Sequence, residues 1–352
     1  MYPLLRPFLF RLDPERAHAL TIFALRLAGA APFLNWTLRQ MYRAPEKPVD
    51  AFGLRFKNPV GLAAGYDKDG VAVAGLAALG FGHVEAGTVT PLAQDGNPKP
   101  RVFRLVEDEA VINRMGFPGR GADFVRRRIK PVDNVNLIQR LMGVLPNRQP
   151  TILGVNLGKN KSTPNEEAVL DYLSLVQDFA PFADYLTINI SSPNTVGLRQ
   201  LQGREALEKL LEQVHAQRVM EQDKLEKQLP VLVKLAPDLT EAELDDAVDV
   251  ILRANMDGII VTNTTLVREG LRSSHQGETG GLSGKPLAVK SEAVLRQTVE
   301  RVNGKIPIVS AGGIMDPEDA KRRLDMGAAL VQIYTGLVYR GPALVKEIVK
   351  AL

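Results

Sequence analysis

PVLVKLAPDLTEAELDDAVDVILRANMDGIIVTNTT, residues 230–265, decides the fold. A short apolar run, Val231–Lys234, leads to Thr240 and Glu243, whose spacing is that of a helix-starting capping box. An amphipathic stretch follows, and a second apolar run, Gly258–Thr262, closes the unit. Two short apolar strands separated by a helical stretch read as a parallel βαβ unit. Both strands end in polar residues, Lys234 in the first and Thr262-Asn263-Thr264 in the second.

The pattern extends in both directions. Val60–Ala63, His83–Ala86, Ile152–Asn156, Tyr185–Asn189, Ile306–Ser310 and Leu330–Ile333 are further apolar runs, which makes eight in all. Thr163-Pro164 and Asp316-Pro317 open two of the intervening helices. Eight strands alternating with helices predict an α/β fold, a closed (β/α)8 TIM barrel rather than an open doubly wound sheet. The strand ends favour closure: Lys68, Gly87-Thr88, Asn156, Asn189, Lys234, Thr262 to Thr264, Gly312-Gly313 and Tyr334-Thr335. A barrel gathers such residues at one mouth, whereas an open sheet scatters them along an edge. Residues 88–150 read as inserted loop and helix covering that mouth.

At 352 residues the chain suits one large barrel, and with 45% hydrophobic residues it has ample core. The net charge of +4 is dispersed except at Arg126–Arg128, which reads as a solvated helix face. No nucleic-acid motif accompanies it, and nothing requires an obligate protein partner. Cysteine is absent, which excludes disulfides, thiolate nucleophiles and cysteine-ligated clusters. The four histidines lack metal-site spacing, so no metal is expected.

Residues 1–43 differ from the rest, with six arginines against two acids and many Leu, Phe and Ala. Asp13-Pro14 predicts a helix start, and Ala17, Leu20, Ala24 and Leu27 share a face beyond it. Charges break up every run long enough to cross a bilayer. A basic, amphipathic segment carrying Trp36 suits a helix lying at a membrane surface; a helical hairpin packed on its own barrel is the alternative. The expected division is therefore a helical extension, 1–43, and a barrel domain, 44–352.

At the mouth, Asn189, Ser191, Ser192, Asn194 and Thr195 put five hydrogen-bonding side chains within seven positions, around Pro193. Such residues also make ordinary turns, so the cluster gains meaning only from its surroundings. SAGGIMDPEDA (310–320), IYTGL (333–337) and GGLSGKPL (280–287) add glycine-rich turns, where backbone amides can approach a phosphate. Lys68 and Lys234 would be costly inside a barrel without an anion or electron-rich ring to face. Asn113, Asn156, Asn189, Asn194 and Asn263 supply carboxamides for imide and amide edges. Few acids or histidines accompany them, which fits recognition of a uracil-like ring and an isoalloxazine better than hydrolysis.

The motifs AAGYDKDG (63–70), EAGTVTP (85–91), INRMGF (112–117), GVNLGKNK (154–161), INISSPNTVGLR (188–199), VKLAPD (233–238), IVTNTT (260–265), GGLSG (280–284) and SAGGI (310–314) resemble, in order and over the whole chain, those of dihydroorotate dehydrogenases. The N-terminal extension, with its DPERAH segment, resembles class 2, the quinone-dependent and membrane-associated enzymes; class 1 relatives use a cysteine base. The resemblance implies oxidation of dihydroorotate to orotate in pyrimidine biosynthesis. Ser192 would remove a proton from C5 while hydride passes from C6 to N5 of FMN, with Thr195 and water assisting. Electrons would then go to ubiquinone or menaquinone at the cytoplasmic face of the inner membrane.

By the same resemblance, FMN would be held by Ala64, Gly65, Tyr66, Asp67, Lys68, Thr88, Asn156, Asn189, Lys234, Thr262, Gly284, Gly313, Tyr334 and Thr335. The pyrimidine would meet Lys68, Asn113, Arg114, Met115, Gly116, Phe117, Asn189, Asn194, Asn263 and Thr264. His18, Arg104 and Tyr334 match positions near the quinone. One departure is Pro118-Gly119, where relatives commonly carry asparagines. Two other readings stay open on the residues alone: a flavin barrel with another substrate, and a phosphate-binding aldolase, isomerase or peripheral membrane protein.

Overall fold

The computed structural model describes residues 2–129 and 151–352, in which all eight apolar runs become parallel strands of a closed barrel. In chain order the strands are β1 (Val49–Ala51), β2 (Leu54–Phe56), β3 (Val60–Leu62), β4 (His83–Val89), β5 (Val102–Leu105), β6 (Ala110–Asn113), β7 (Ile152–Leu157), β8 (Tyr185–Asn189), β9 (Val231–Leu235), β10 (Gly258–Val261), β11 (Gly281–Gly284), β12 (Ile308–Ala311) and β13 (Leu330–Ile333). The barrel runs β3-β4-β7-β8-β9-β10-β12-β13 and closes back on β3. Helices α1 (Tyr2–Arg11), α2 (Pro14–Ala30) and α3 (Pro32–Met41) precede it. Around and beside it lie α4 (Val73–Ala77), α5 (Ala122–Arg128), α6 (Ala168–Phe179), α7 (Arg204–Leu225), α8 (Glu241–Arg253), α9 (Ala288–Val302), α10 (Pro317–Asp325), α11 (Thr335–Arg340) and α12 (Ala343–Ala351).

Three helix starts form as the side chains dictate, whereas the one read at Thr163-Pro164 has no side-chain cap and passes through a 3₁₀ turn before α6 begins at Ala168. Thr240 accepts from the Glu243 amide while the Glu243 carboxylate accepts from the Thr240 amide, a complete capping box on α8. Asp13 caps α2 and Asp316 caps α10, each with proline next in line. Strand residues alternate between two apolar environments. Val231, Val233, Ile259 and Val261 pack against the helices, whereas Leu232, Ile260, Val309 and Leu330 fill the bottom of the barrel. The β1–β2 hairpin, not anticipated from sequence, plugs that end with Phe52 and Phe56.

The insertion after β4 holds helix α5, with Arg126–Arg128 exposed as expected, but it is not only loop and helix. It also contains β5 and β6, which pair with β11 in a three-stranded antiparallel sheet beside the mouth. Four-residue strands carry too little periodicity to be read alone, and β11 lies far along the chain. Residues 130–150 of the insertion fall outside the described residues.

No single helix among the described residues is long and apolar enough to cross a membrane, and α2 and α3 meet at 109°. Helix α2 packs on α4 almost backbone to backbone. A Cβ on Gly75 would lie 2.1 Å from the Leu25 carbonyl oxygen, and one on Gly29 would lie 2.7 Å from the Gly75 nitrogen. The buried residue of α2 is Leu25; Leu20, Ala24 and Leu27 are exposed and Ala17 is half-buried, and of this face Ala17, Leu20 and Ala24 border the cavity beneath α1 and α2. Leu4, Phe8, Phe23, Phe33 and Trp36 are exposed as well. The segment is therefore a helical assembly packed on its own barrel that still presents apolar side chains outward.

Glycine makes room for rings inside the barrel. A Cβ on Gly61 would sit 1.9 Å from His83 Nε2, and one on Gly154 would sit 2.2 Å from Tyr185 Cζ. Gly154→Ala is expected to cost about 1–3 kcal/mol by overpacking. Gly277→Ala, with no atom within 4 Å of the new methyl group, is expected to be neutral. Thermal denaturation of the two variants side by side checks the difference.

Candidate active site

One cavity of about 1490 Å³ runs from beneath α1 and α2 into the mouth of the barrel. A pocket for one drug-sized ligand is about 300–1,000 Å³, so there is room for more than one. Its lining brings together Ala64, Gly65, Tyr66, Asp67, Lys68, Thr88, Asn189, Lys234, Thr262, Gly284, Gly313, Tyr334 and Thr335. Asn113, Met115, Gly116, Phe117, Ser192, Asn194, Asn263 and Thr264 line it too, as do His18 and Arg104. Two expected residues do not. The Arg114 guanidinium turns away to Glu278, 2.6 Å distant, and lies over the Phe103 ring. Asn156 sits beneath the floor, accepting from Thr88 Oγ1 at 2.6 Å and from Asn189 Nδ2 at 2.9 Å.

The asparagines divide by function once their bonds are counted. Asn189 Nδ2 donates toward Thr88 Oγ1 and Asn156 Oδ1, which lie on one side of it and 2.6 Å from each other, and its oxygen accepts from Ser191 Oγ and Asn263 Nδ2. Asn189 is thus tied into the floor while it lines the cavity. Asn194 Nδ2 donates to Asn113 Oδ1 at 3.1 Å, which leaves Asn113 Nδ2 and Asn194 Oδ1 without partners among the described residues. A donor and an acceptor are thus held side by side in the cavity. Ser192 Oγ accepts from the Asn194 amide at 3.2 Å, and its own hydrogen is uncommitted among the described residues. Thr195, three positions on, has a buried hydroxyl with no partner among them.

Charge enters through two lysines. The side chain of Lys234, a residue 5% exposed, makes no hydrogen bond or ion pair among the described residues. Burial lowers its pKa, while the negative charge of Glu85 opposes that. Lys68 is lowered to about 8, chiefly by burial, with Asp69 and Glu15 acting against it. His18 is lowered to about 3 by burial and then by the Lys68 charge, so it is neutral at physiological pH. Its ring meets Tyr66 edge-on at 5.1 Å, and Tyr66 meets Tyr334 at 5.6 Å, an aromatic file from α2 to the mouth. Burial raises the Tyr334 phenol to about 12. Arg104 donates to the carbonyls of Leu9 and Leu12 and lies over Phe10, so it fastens the end of α1 as well as lining the cavity. The Asp67 carboxylate is taken by the amides of Val71 and Ala72.

At the far side Gly284, Gly312 and Gly313 all have positive φ, which excludes larger residues. A Cβ on Gly284 would lie 2.3 Å from the Glu109 oxygen, and one on Gly313 would lie 2.3 Å from Ala288 Cα. The amides of Gly312 and Gly313 donate to no acceptor among the described residues. Unpaired amides at one end and an unpaired lysine on the floor fit a planar, heteroatom-rich ring that carries a phosphate.

Several supports escaped sequence reading. Arg199 donates to the Ser191 and Thr264 carbonyls and pairs with Asp238 at 2.9 Å, bracing the two loops that carry Ser192 and Asn263. Gln94 pairs with Gly119 through both backbone groups, and its side chain donates to the Gly116 and Phe117 carbonyls. The Pro118-Gly119 departure therefore sits in a pinned loop. Glu85 is fully buried and accepts from Asn156 at 2.7 Å, Tyr185 at 3.0 Å and Gln332 at 2.8 Å. A carboxylate in the middle of an apolar strand was the available signal for it.

A family model described as dihydroorotate dehydrogenase matches residues 48–352. A protein of Pectobacterium atrosepticum named dihydroorotate dehydrogenase (quinone) is 47% identical over 349 residues, 99% of this chain and 98% of its own. One of the same name from Burkholderia pseudomallei is 47% identical over 353 residues, 100% of this chain and 98% of its own. Among solved structures, Eimeria tenella DHODH in complex with ferulenol superposes with a TM-score of 0.84 at 39% identity, covering 96% of this chain and 90% of that one. The ligand-free type of the same enzyme gives 0.85 at 41%, covering 96% and 94%. With the barrel, the strand-end constellation and full-length relatives in agreement, this chain belongs to the dihydroorotate dehydrogenase family, among the members named for quinone.

Proposed function

We propose that the chain oxidises (S)-dihydroorotate to orotate with FMN as its bound electron carrier and a membrane quinone as the final acceptor. Family membership carries the reaction and the acceptor class. The observation that supports FMN and the site assignments is the single cavity. It joins Ser192, the Asn113–Asn194 pair, the unpaired Lys234 and the glycine turns to the space under α1 and α2.

FMN, when bound, supplies an acceptor for the substrate's hydride and passes the electrons on to quinone. Thr88, Lys234 and Thr262 would hold its ring, with Asn156 and Asn189 fixing Thr88 from below. Gly284, Gly313 and Thr335 would hold its phosphate. The Lys234 ammonium would balance negative charge gained by that ring on reduction. Asn113 Nδ2 and Asn194 Oδ1 offer the donor–acceptor pair that an imide edge requires, and Lys68 supplies a cation for the carboxylate. Ser192 Oγ takes the C5 proton. A serine is a weak base, so its own proton must leave as it acts; the unpartnered Thr195 hydroxyl, with water, provides a route. The neutral imidazole of His18 and the Tyr66–Tyr334 file line the approach to quinone.

Residues 1–43 would form the quinone-access and membrane-docking unit, 44–352 being the catalytic domain. Leu4, Phe8, Phe23, Phe33 and Trp36 are exposed on it, with Arg11 and Arg26 also exposed there. An apolar face rimmed by basic residues suits the headgroup boundary of an anionic bilayer. The cytoplasmic face of the inner membrane is the surface this reading assigns.

Ser192→Ala is expected to slow flavin bleaching by dihydroorotate about 10²–10⁴-fold while FMN content stays unchanged. Stopped-flow spectra check this, and an unaltered rate would remove Ser192 from the chemistry. Lys68 binds the carboxylate only when protonated, and its pKa is lowered, so kcat/KM should fall as pH rises through about 8. The fall should be missing in Lys68→Met, whose kcat/KM is low throughout. Replacing Leu4, Phe8 and Phe33 together by glutamate should abolish sedimentation with anionic vesicles and leave the flavin spectrum intact; undiminished sedimentation would count against the membrane assignment.

A further inference from the structure

Arg323, on α10, is 0% exposed, an expensive position for a guanidinium unless its donors are well used. Its Nη2 donates to the Ala288 carbonyl at 3.0 Å, the Gly312 carbonyl at 3.1 Å and Ser291 Oγ at 2.9 Å, and its Nη1 to Ser310 Oγ at 3.3 Å. Ser291 Oγ lies 2.8 Å from the same Gly312 oxygen and donates to it. The side chain thus clasps the entry to α9 and the turn after β12 from behind. Its charge is matched by Glu292 Oε1 at 3.2 Å from Nε, so net field is not what it adds to the mouth.

What it adds is orientation. In a trans peptide the carbonyl and the following amide point in opposite directions. Drawing the Gly312 oxygen back into the protein, toward Arg323 and Ser291, turns the Gly313 N–H the other way, and both glycines line the cavity. We propose that Arg323 is a positioning residue for the phosphate end of the flavin, holding the Gly313 amide aimed at that phosphate. The proposal rests on the reading above that the glycine turns receive a phosphate. It assigns a role to a residue that does not line the cavity.

The test compares ligands that differ only in that group. Full-length protein stripped of flavin is titrated with FMN and with riboflavin, following the quenching of flavin fluorescence. Arg323→Met should weaken FMN roughly 10–100-fold, the loss expected for a displaced donor to a charged acceptor, while riboflavin affinity stays within about twofold. Arg323→Lys should keep part of the preference. Ser291→Ala, a gentler change that spares the buried charge, should lower the FMN-to-riboflavin ratio in the same direction by a smaller factor. Equal losses for both ligands, or a preference for FMN that survives in Arg323→Met and Ser291→Ala, would overturn the proposal alone. A wild-type protein without preference for FMN over riboflavin would overturn the phosphate reading, and the proposal with it.

Discussion

A carboxylate buried in the middle of the barrel sets the terms for everything above it. Glu85 has no access to water, and its cost is met by three neutral donors, Asn156, Tyr185 and Gln332, from three other strands. Branched aliphatic side chains normally fill this layer of an eight-stranded barrel. Here it is polar, and its members are fixed by one another. Asn156 in turn holds Thr88 and Asn189, so the floor of the cavity is built upward from Glu85. Lys234 faces the same carboxylate through space, which lets an unpaired ammonium persist at the floor. Gly61 and Gly154 are the condition for the arrangement, since any side chain there would displace the rings of His83 and Tyr185.

The mouth is organised by a second rule: the polar groups left unpaired on cavity-lining residues are those that remain after the scaffold has satisfied itself. Asn189 is tied into the floor by its side-chain hydrogen bonds, whereas Asn113 and Asn194 each keep one group unpaired among the described residues. The loops that carry these residues are tied from outside by Arg199 with Asp238, and from the cavity wall by Gln94. Arg199 and Asp238, which do not line the cavity, therefore help to decide which side chains can.

Much of this was legible in the residues. Strands buried on both faces are continuous apolar runs, and all eight stood out, in the right order, because helices separate them. Their polar ends declared the mouth. The β5–β6–β11 sheet did not stand out, because its strands are short and its pairing joins Asn113 to Gly281 across most of the barrel. Nor did the outward turn of Arg114, which depends on Glu278 and Phe103 arriving from elsewhere. Residues whose role is to hold another residue, such as Glu85, Arg199 and Arg323, leave little local trace. Their partners lie on other strands or helices, and only folding brings them together. The N-terminal segment was read by its composition, yet its docking depends on two glycines, Gly29 and Gly75, whose meaning appears only when the helices cross.

That crossing has a mechanical consequence. Where α2 meets α4, no side chain stands between the backbones to rotate and absorb displacement, so the contact is stiff. Helix α4 begins only five residues after Lys68, and the Asp67 carboxylate grips the amides of Val71 and Ala72 just before it. A lateral load on α2 has little compliance to cross before it reaches the cavity lining. The outermost helices of the molecule are in this sense part of the rigid frame of its innermost loop.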